Sequence, residues 1–207
     1  HDVGMKLGGM VGAVRHARRQ KAAGVDFIVA QGTEAGGHTG NVATFPLVPQ
    51  VVDEVAPIPV MAAGGIATGR HVAAALALGA QAVWVGTAFL VAEENEIRDV
   101  HQEQILDAQS ERFMASKYPT GKQSRSLDNP LKHAWEESRL PALQMPFQGI
   151  LMEQFGRSAE AAERWDLVTG PGGQVGGMLK ERKPARQIVE EMLAEAEETL
   201  NRLQTYR

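Results

Sequence analysis

Four short apolar runs organise the first ninety residues: MKLGGMVG at 5–12, VDFIVAQG at 25–32, IPVMAAGG at 58–65 and QAVWVGTAFL at 81–90. Each is mostly continuous rather than alternating, the pattern of strands buried on both faces of a parallel sheet. Helix-like stretches separate them. VRHARRQKAAG ends at Gly24 and HVAAALALG at Gly79, two glycines placed as left-handed caps, while FPLVPQVVDEV sets Leu47, Val48, Val51, Val52 and Val55 along one stripe. The order predicted is β-α-β-α-β-α-β. AAGVDFIVAQG and ALGAQAVWVGT share one layout of helix end, glycine, two linking residues, strand and glycine, so the βα unit repeats.

Such units either close into a (βα)8 barrel or remain an open doubly wound sheet. Glycines and polar residues gather after the strands, at QGTEAGGHTG, AGGIATGR and GTAF, the face on which barrel loops build their sites. Because a barrel phosphate site commonly follows the last two strands, AAGG is assigned to strand seven and VWVG to strand eight. The fold class expected is α/β: residues 1–94 as the C-terminal half of a TIM barrel, strands five to eight. Half a barrel has two open sheet edges. The first four strands are therefore expected outside this chain, whose start, HDVGMKLGGMVG, reads as the middle of a longer protein.

Beyond residue 90 charge rises, and SKYPTGKQSRSLDNP and SRLPALQMPFQG are rich in turn formers. Residues 95–170 are expected to form an inserted, mostly helical lobe over the barrel mouth, with Met145, Phe147, Met152 and Phe155 packed in its core. Residues 171–207 return to the barrel, ending in ARQIVEEMLAEAEETLNRL, a long amphipathic helix behind Pro184.

Composition narrows the function classes. A hydrophobic fraction of 43% with 22% charged residues is that of a globular protein. A formal net charge of −4, with no basic run longer than Arg18-Arg19, gives no footprint for nucleic acid. The absence of cysteine excludes disulfides, thiolate catalysis and Cys-ligated metal. No run approaches the roughly 18–20 apolar residues of a membrane span, so a soluble, cytoplasmic protein acting on a small molecule is expected. His1, His16, His71, His101 and His133 show no metal-ligand spacing, and no metal site is assigned.

The loops carry the chemistry. Gly64 and Gly65 lie between a strand and a helix whose free N–H groups and dipole favour an anion, and a residue without Cβ lets a phosphate reach the backbone. Gly86 and Thr87 end the next strand, bringing a backbone N–H and a hydroxyl toward the same phosphate. Neither a GKS/GKT P-loop nor a GxGxxG fingerprint is present, so a mononucleotide such as FMN fits better than a nucleoside triphosphate or dinucleotide. His38, flanked by Gly36, Gly37 and Gly40, ends strand six at the same mouth. With an unperturbed pKa of about 6.5, an imidazole there can take or return a proton near neutral pH. Glu34 reads as a capping carboxylate or as a group that orients the loop, and Trp84 as a packing residue of the barrel.

AQGTEAGGHTG, PVMAAGGIATGRHVAAALALGAQAVWVGTAFL and GGQVGGMLK together resemble the nitronate monooxygenase family, and flavin-dependent enoyl-acyl-carrier-protein reductases are close relatives with the same segments. The resemblance implies a barrel that binds FMN, an inserted helical domain over the flavin, His38 as catalytic base or acid, phosphate contacts at Gly64, Gly65, Gly86 and Thr87, and flavin-side contacts at Gly36, Gly37 and Gln174. The activity it implies is oxidation of alkyl nitronates or nitroalkanes with oxygen. Two alternatives stay open: an NAD(P)H-dependent flavin reductase of an enoyl thioester or quinone, and a flavin- or phosphate-binding module without catalysis. A homo-oligomer is compatible with all three.

Overall fold

The computed structural model describes residues 1, 3–168 and 170–206. Four strands, β1 (Gly8–Val11), β2 (Phe27–Gln31), β4 (Val60–Ala63) and β5 (Ala82–Trp84), form one sheet in the order β1-β2-β4-β5. Every pairing in it is parallel. Helices α1 (Val14–Ala22), α2 (Thr44–Val55) and α3 (Gly69–Ala77) alternate with these strands. Gly24 and Gly79 adopt φ of 79° and 94° just past the ends of α1 and α3, the left-handed conformation that ends a helix at little cost in glycine.

One face of this sheet makes the main core. Val11, Ile28, Ala30, Val60 and Ala62 meet Leu47, Val48, Val51 and Val55 of α2, together with Ala17 and Ala75 of the flanking helices. Each fully buried valine, leucine or isoleucine contributes about 1.5–3 kcal/mol of transfer free energy, which is why the apolar stripe of α2 dictates its seat. The opposite face is different. Met10 and Trp84 are half exposed there, and Gln31 and Ala63 stand in register with Trp84. The two-sided burial expected of these strands holds only for the central pair, and Trp84 lines a cleft instead of packing a closed interior.

The remainder surrounds this sheet. A second sheet, antiparallel and ordered β3-β7-β6, joins β3 (Gly37–His38) to a hairpin of β6 (Phe113–Ser116) and β7 (Ser124–Leu127). The sequence announced no strands here: SKYPTGKQSRSLDNP, read as turn formers, supplies both the hairpin turn and β7. Helices α4 (Asp99–Asp107), α5 (Pro130–Ser138) and α6 (Phe147–Ala161) complete the segment. Met145, Phe147 and Phe155 are exposed on α6 and the segment before it, and do not form a core. Helix α7 (Ala185–Leu203) lies along α3, burying Ile188, Met192, Ala196 and Thr199, while Val189, Leu193, Leu200 and Leu203 face outward. Among the described residues no helix is long and apolar enough to cross a membrane, and no cluster of three or more His, Cys, Asp or Glu could hold a metal ion.

Candidate functional site

Loops that follow β2, β4 and β5 meet over the open sheet face around a cleft of about 450 Å³. Met10, Gln31, Ala63 and Trp84 form its floor, and Gly36, His38, Gly64, Gly65, Gly86 and Thr87 its rim. Pro171 and Val175 close it from the far end of the chain. Of the residues singled out in the sequence, Gly37 and Gln174 lie next to the rim without lining it.

The glycines of the rim serve different purposes. Gly64 and Gly65 take φ of 87° and 74°, and a Cβ on Gly64 would stand 2.9 Å from the carbonyl oxygen of Gly32. That turn excludes a side chain for reasons internal to the fold. Gly86 has φ of −118°, and a Cβ added there would meet nothing within 4 Å. Its bare backbone faces open space in the cleft. Gly36 packs backbone against backbone with a distant segment, since its Cβ would lie 2.7 Å from the carbonyl carbon of Gly172.

Thr87 begins a short 3-10 turn, Thr87–Val91, and its Oγ1 accepts the Gly173 N–H at 2.9 Å. Among the described residues that hydroxyl donates to no partner. Gln174 donates its backbone N–H to the Glu34 carbonyl at 2.9 Å and starts a second 3-10 turn, Gln174–Met178. Pro171, Gly172 and Gly173 thus tie the C-terminal segment to the histidine loop and to the turn that begins at Thr87. Local sequence gave no sign of that contact beyond the glycines themselves.

Of the N–H groups at the N-terminus of α3, that of Gly69 is already engaged within the protein. Gly69, the first residue of α3, donates its N–H to Glu195 Oε2 at 2.6 Å, and Arg70 Nε lies 3.0 Å from the other oxygen. A Cβ on Gly69 would stand 2.2 Å from the Ala196 nitrogen, so α7 approaches closely enough for its own carboxylate to take the anion position. The cleft retains the Gly64–Gly65 turn and the Gly86–Thr87 turn in its lining.

His38 is exposed at the cleft rim and sits in β3, opposite Ser124 of β7. Its Nε2 lies 2.8 Å from Thr120 Oγ1, and its carbonyl accepts from Gln31 Nε2 at 3.3 Å. Glu34 does not touch the ring. Its carboxylate accepts the N–H of Thr44 at 2.9 Å and the Thr44 hydroxyl at 3.0 Å, capping the first turn of α2. Beneath the loop, the buried Arg125 of β7 donates from Nε to the Thr33 carbonyl at 3.0 Å and from Nη1 to the Phe113 carbonyl. Burial lowers the guanidinium pKa, and the negative charge of Glu34 opposes that shift. Arg125 thus braces the histidine loop against the hairpin.

The nitronate monooxygenase family model matches residues 1–195. The chain belongs to that family. It is 46% identical over 211 residues to a chain of Mycobacterium tuberculosis described as a monooxygenase, covering 99% of this chain and 56% of that one. Among solved structures, FabK from Thermotoga maritima superposes with a TM-score of 0.87 at 37% identity, covering 100% of this chain and 65% of its own. The nitroalkane oxidase of Streptomyces ansochromogenes gives 0.87 at 31% identity, covering 98% and 60%. The chain therefore spans less than two thirds of the length of each of these three relatives.

Proposed function

We propose that the complete protein is an FMN-dependent oxidoreductase of the nitronate monooxygenase type, which oxidises alkyl nitronates or nitroalkanes with oxygen and uses His38 as its base. The observation that carries this reading is that, among the described residues, His38 is the only titratable side chain lining a cleft whose other end is glycine backbone and the Thr87 hydroxyl.

The residues present fit FMN. Gly64 and Gly65 turn their backbone toward the cleft with left-handed φ, and the open space at Gly86 leaves room for a phosphate against the chain. Gly64, Gly65, Gly86 and Thr87 would hold that phosphate, with Gly36, Gly37 and Gln174 on the flavin side. Bound there, FMN supplies the redox chemistry of the reaction. The chain's own part is positioning and proton transfer. His38 takes the proton α to a nitro group or holds the nitronate that results, and Met10 and Trp84 offer the substrate an apolar floor.

Residues 1–94 make, in this reading, strands five to eight of a (βα)8 barrel. Support comes from the sequential strand order β1-β2-β4-β5 with helices packed on one face only, because doubly wound sheets reverse direction and cover both faces. Residues 95–170 form the inserted lobe and 171–207 the return segment.

Oxygen uptake by the FMN-loaded full-length protein tests the reading. Turnover of an alkyl nitronate, lost on His38→Ala with FMN retained, is the expected result. Absence of turnover with nitroalkane and nitronate alike overturns it, and anaerobic flavin reduction by NADPH then selects the reductase alternative.

A further inference from the structure

We propose that Thr120 is the positioning residue for His38: its hydroxyl fixes the ring as the Nε2–H tautomer and leaves Nδ1 to take the substrate proton. The inference rests on the reading of His38 as the base, and extends it to a named atom and a residue 82 positions away.

Thr120 lies in the turn between β6 and β7. Its Oγ1 is 2.8 Å from His38 Nε2, 3.1 Å from the Lys122 carbonyl oxygen and 3.4 Å from the Lys122 nitrogen. A hydroxyl has one proton to give and two lone pairs to receive. If that proton goes to the Lys122 carbonyl, the oxygen accepts from His38 Nε2–H and from Lys122 N–H, and every group in the cluster is paired. If it goes to His38 Nε2 instead, the Lys122 carbonyl loses its partner. The first arrangement keeps one more hydrogen bond within the protein at this exposed turn, and it places the ring proton on Nε2. Among the described residues, Nδ1 has no hydrogen-bond partner.

The turn that carries Thr120 is itself held in place. Tyr118 is buried, and its carbonyl accepts from the buried Gln148 of α6 at 2.7 Å. A Cβ on Gly121 would stand 2.0 Å from the Leu143 carbonyl oxygen, so the chain before α6 presses directly on the turn. The charged groups on the surrounding elements are engaged or carry no bond to the ring: Arg125 holds the Thr33 and Phe113 carbonyls, and Glu34 holds Thr44. Thr120 is the one side chain among the described residues that bonds the imidazole.

The proton transfer then balances without rearrangement. The Cα–H bond of a nitroalkane breaks, an Nδ1–H bond forms, and the electron pair stays on the nitronate. The imidazolium keeps its Nε2–H bond to Thr120, whose oxygen already accepts it, so the positive charge forms against an oriented dipole.

The test uses the full-length protein with ¹⁵N-labelled histidine, the His38 signals being identified by their loss in His38→Asn. In the neutral ring the wild type is expected to show the Nε2–H pattern. Thr120→Ser should preserve it, and Thr120→Val should give a mixture with Nδ1–H. Turnover should follow: kcat falls about tenfold or more in Thr120→Val with KM nearly unchanged, and Thr120→Ser restores it. An Nδ1–H pattern in the wild type overturns the proposal, as does a folded Thr120→Val with wild-type kcat and spectrum. Full turnover by His38→Asn would instead remove the base reading, while the ring spectrum still decides the role of Thr120 in setting the tautomer.

Discussion

Glu195 on α7 accepts the backbone N–H of Gly69, the first residue of α3, at 2.6 Å. The helix that follows the Gly64–Gly65 turn is thus capped by the protein's own carboxylate. Removing that cap as Glu195→Ala is expected to lower stability by about 1 kcal/mol and to leave FMN affinity unchanged. Denaturant midpoints with flavin titration check both. A large loss of FMN affinity at unchanged stability would place α3 back in the phosphate site.

The glycines of the Gly64–Gly65 and Gly86–Thr87 turns should separate in their effects. Gly64→Ala places a Cβ 2.9 Å from a backbone oxygen at a φ of 87°, and is expected to destabilise the fold by roughly 1–3 kcal/mol. Gly86→Ala meets nothing within 4 Å and should leave the denaturation midpoint in place. Its effect should appear as FMN binding weakened about tenfold or more, since the new methyl occupies space at the ligand. Equilibrium dialysis of both variants distinguishes the two.

Trp84 is 49% exposed and lies on the cleft floor. FMN bound over that floor should quench its fluorescence. Trp84→Phe is expected to remove most of the quenching while Trp135→Phe and Trp165→Phe leave it. Equal loss from all three would mean the flavin lies elsewhere.

Lys132 is 1% exposed, with its Nζ donating to the Met114 and Ser126 carbonyls at 3.0 and 3.2 Å. Burial lowers its pKa from the ordinary 10.5, and the charge of Asp128 opposes that shift. Below its lowered value the native lysine is charged, as it is in the unfolded chain. Between that value and 10.5 the unfolded chain binds more protons, so the stability linked to Lys132 rises with pH and is complete above 10.5. Lys132→Met strands buried carbonyls and should cost about 2–4 kcal/mol near neutral pH. The stability gap between wild type and variant is expected to widen as pH climbs toward 10. A gap independent of pH would mean that burial does not shift this lysine.

Much of the fold was legible because it is written in local periodicity. The stripe Leu47, Val48, Val51 and Val55 fixed the seat of α2, and the positions of Gly24 and Gly79 marked the ends of two helices. The rim residues His38, Gly64, Gly65, Gly86 and Thr87 could be named because they follow strands in order. The hairpin escaped because β7 is SRSL, four residues with no apolar alternation, whose strand character comes from pairing with β6 and with His38.

By itself the sequence determined the alternation of parallel strands and helices, the side of the sheet on which the loops gather, and the presence of one histidine among them. Only the tertiary structure decided what those loops touch. Gly69 finds its acceptor 126 residues away, Thr33 is braced by Arg125 from 92 residues away, and Thr87 receives the N–H of Gly173 from 86 away. Periodicity reports the face a residue turns to the core. Which distant donor or acceptor it meets depends on how the elements pack, and no window along the chain contains both partners.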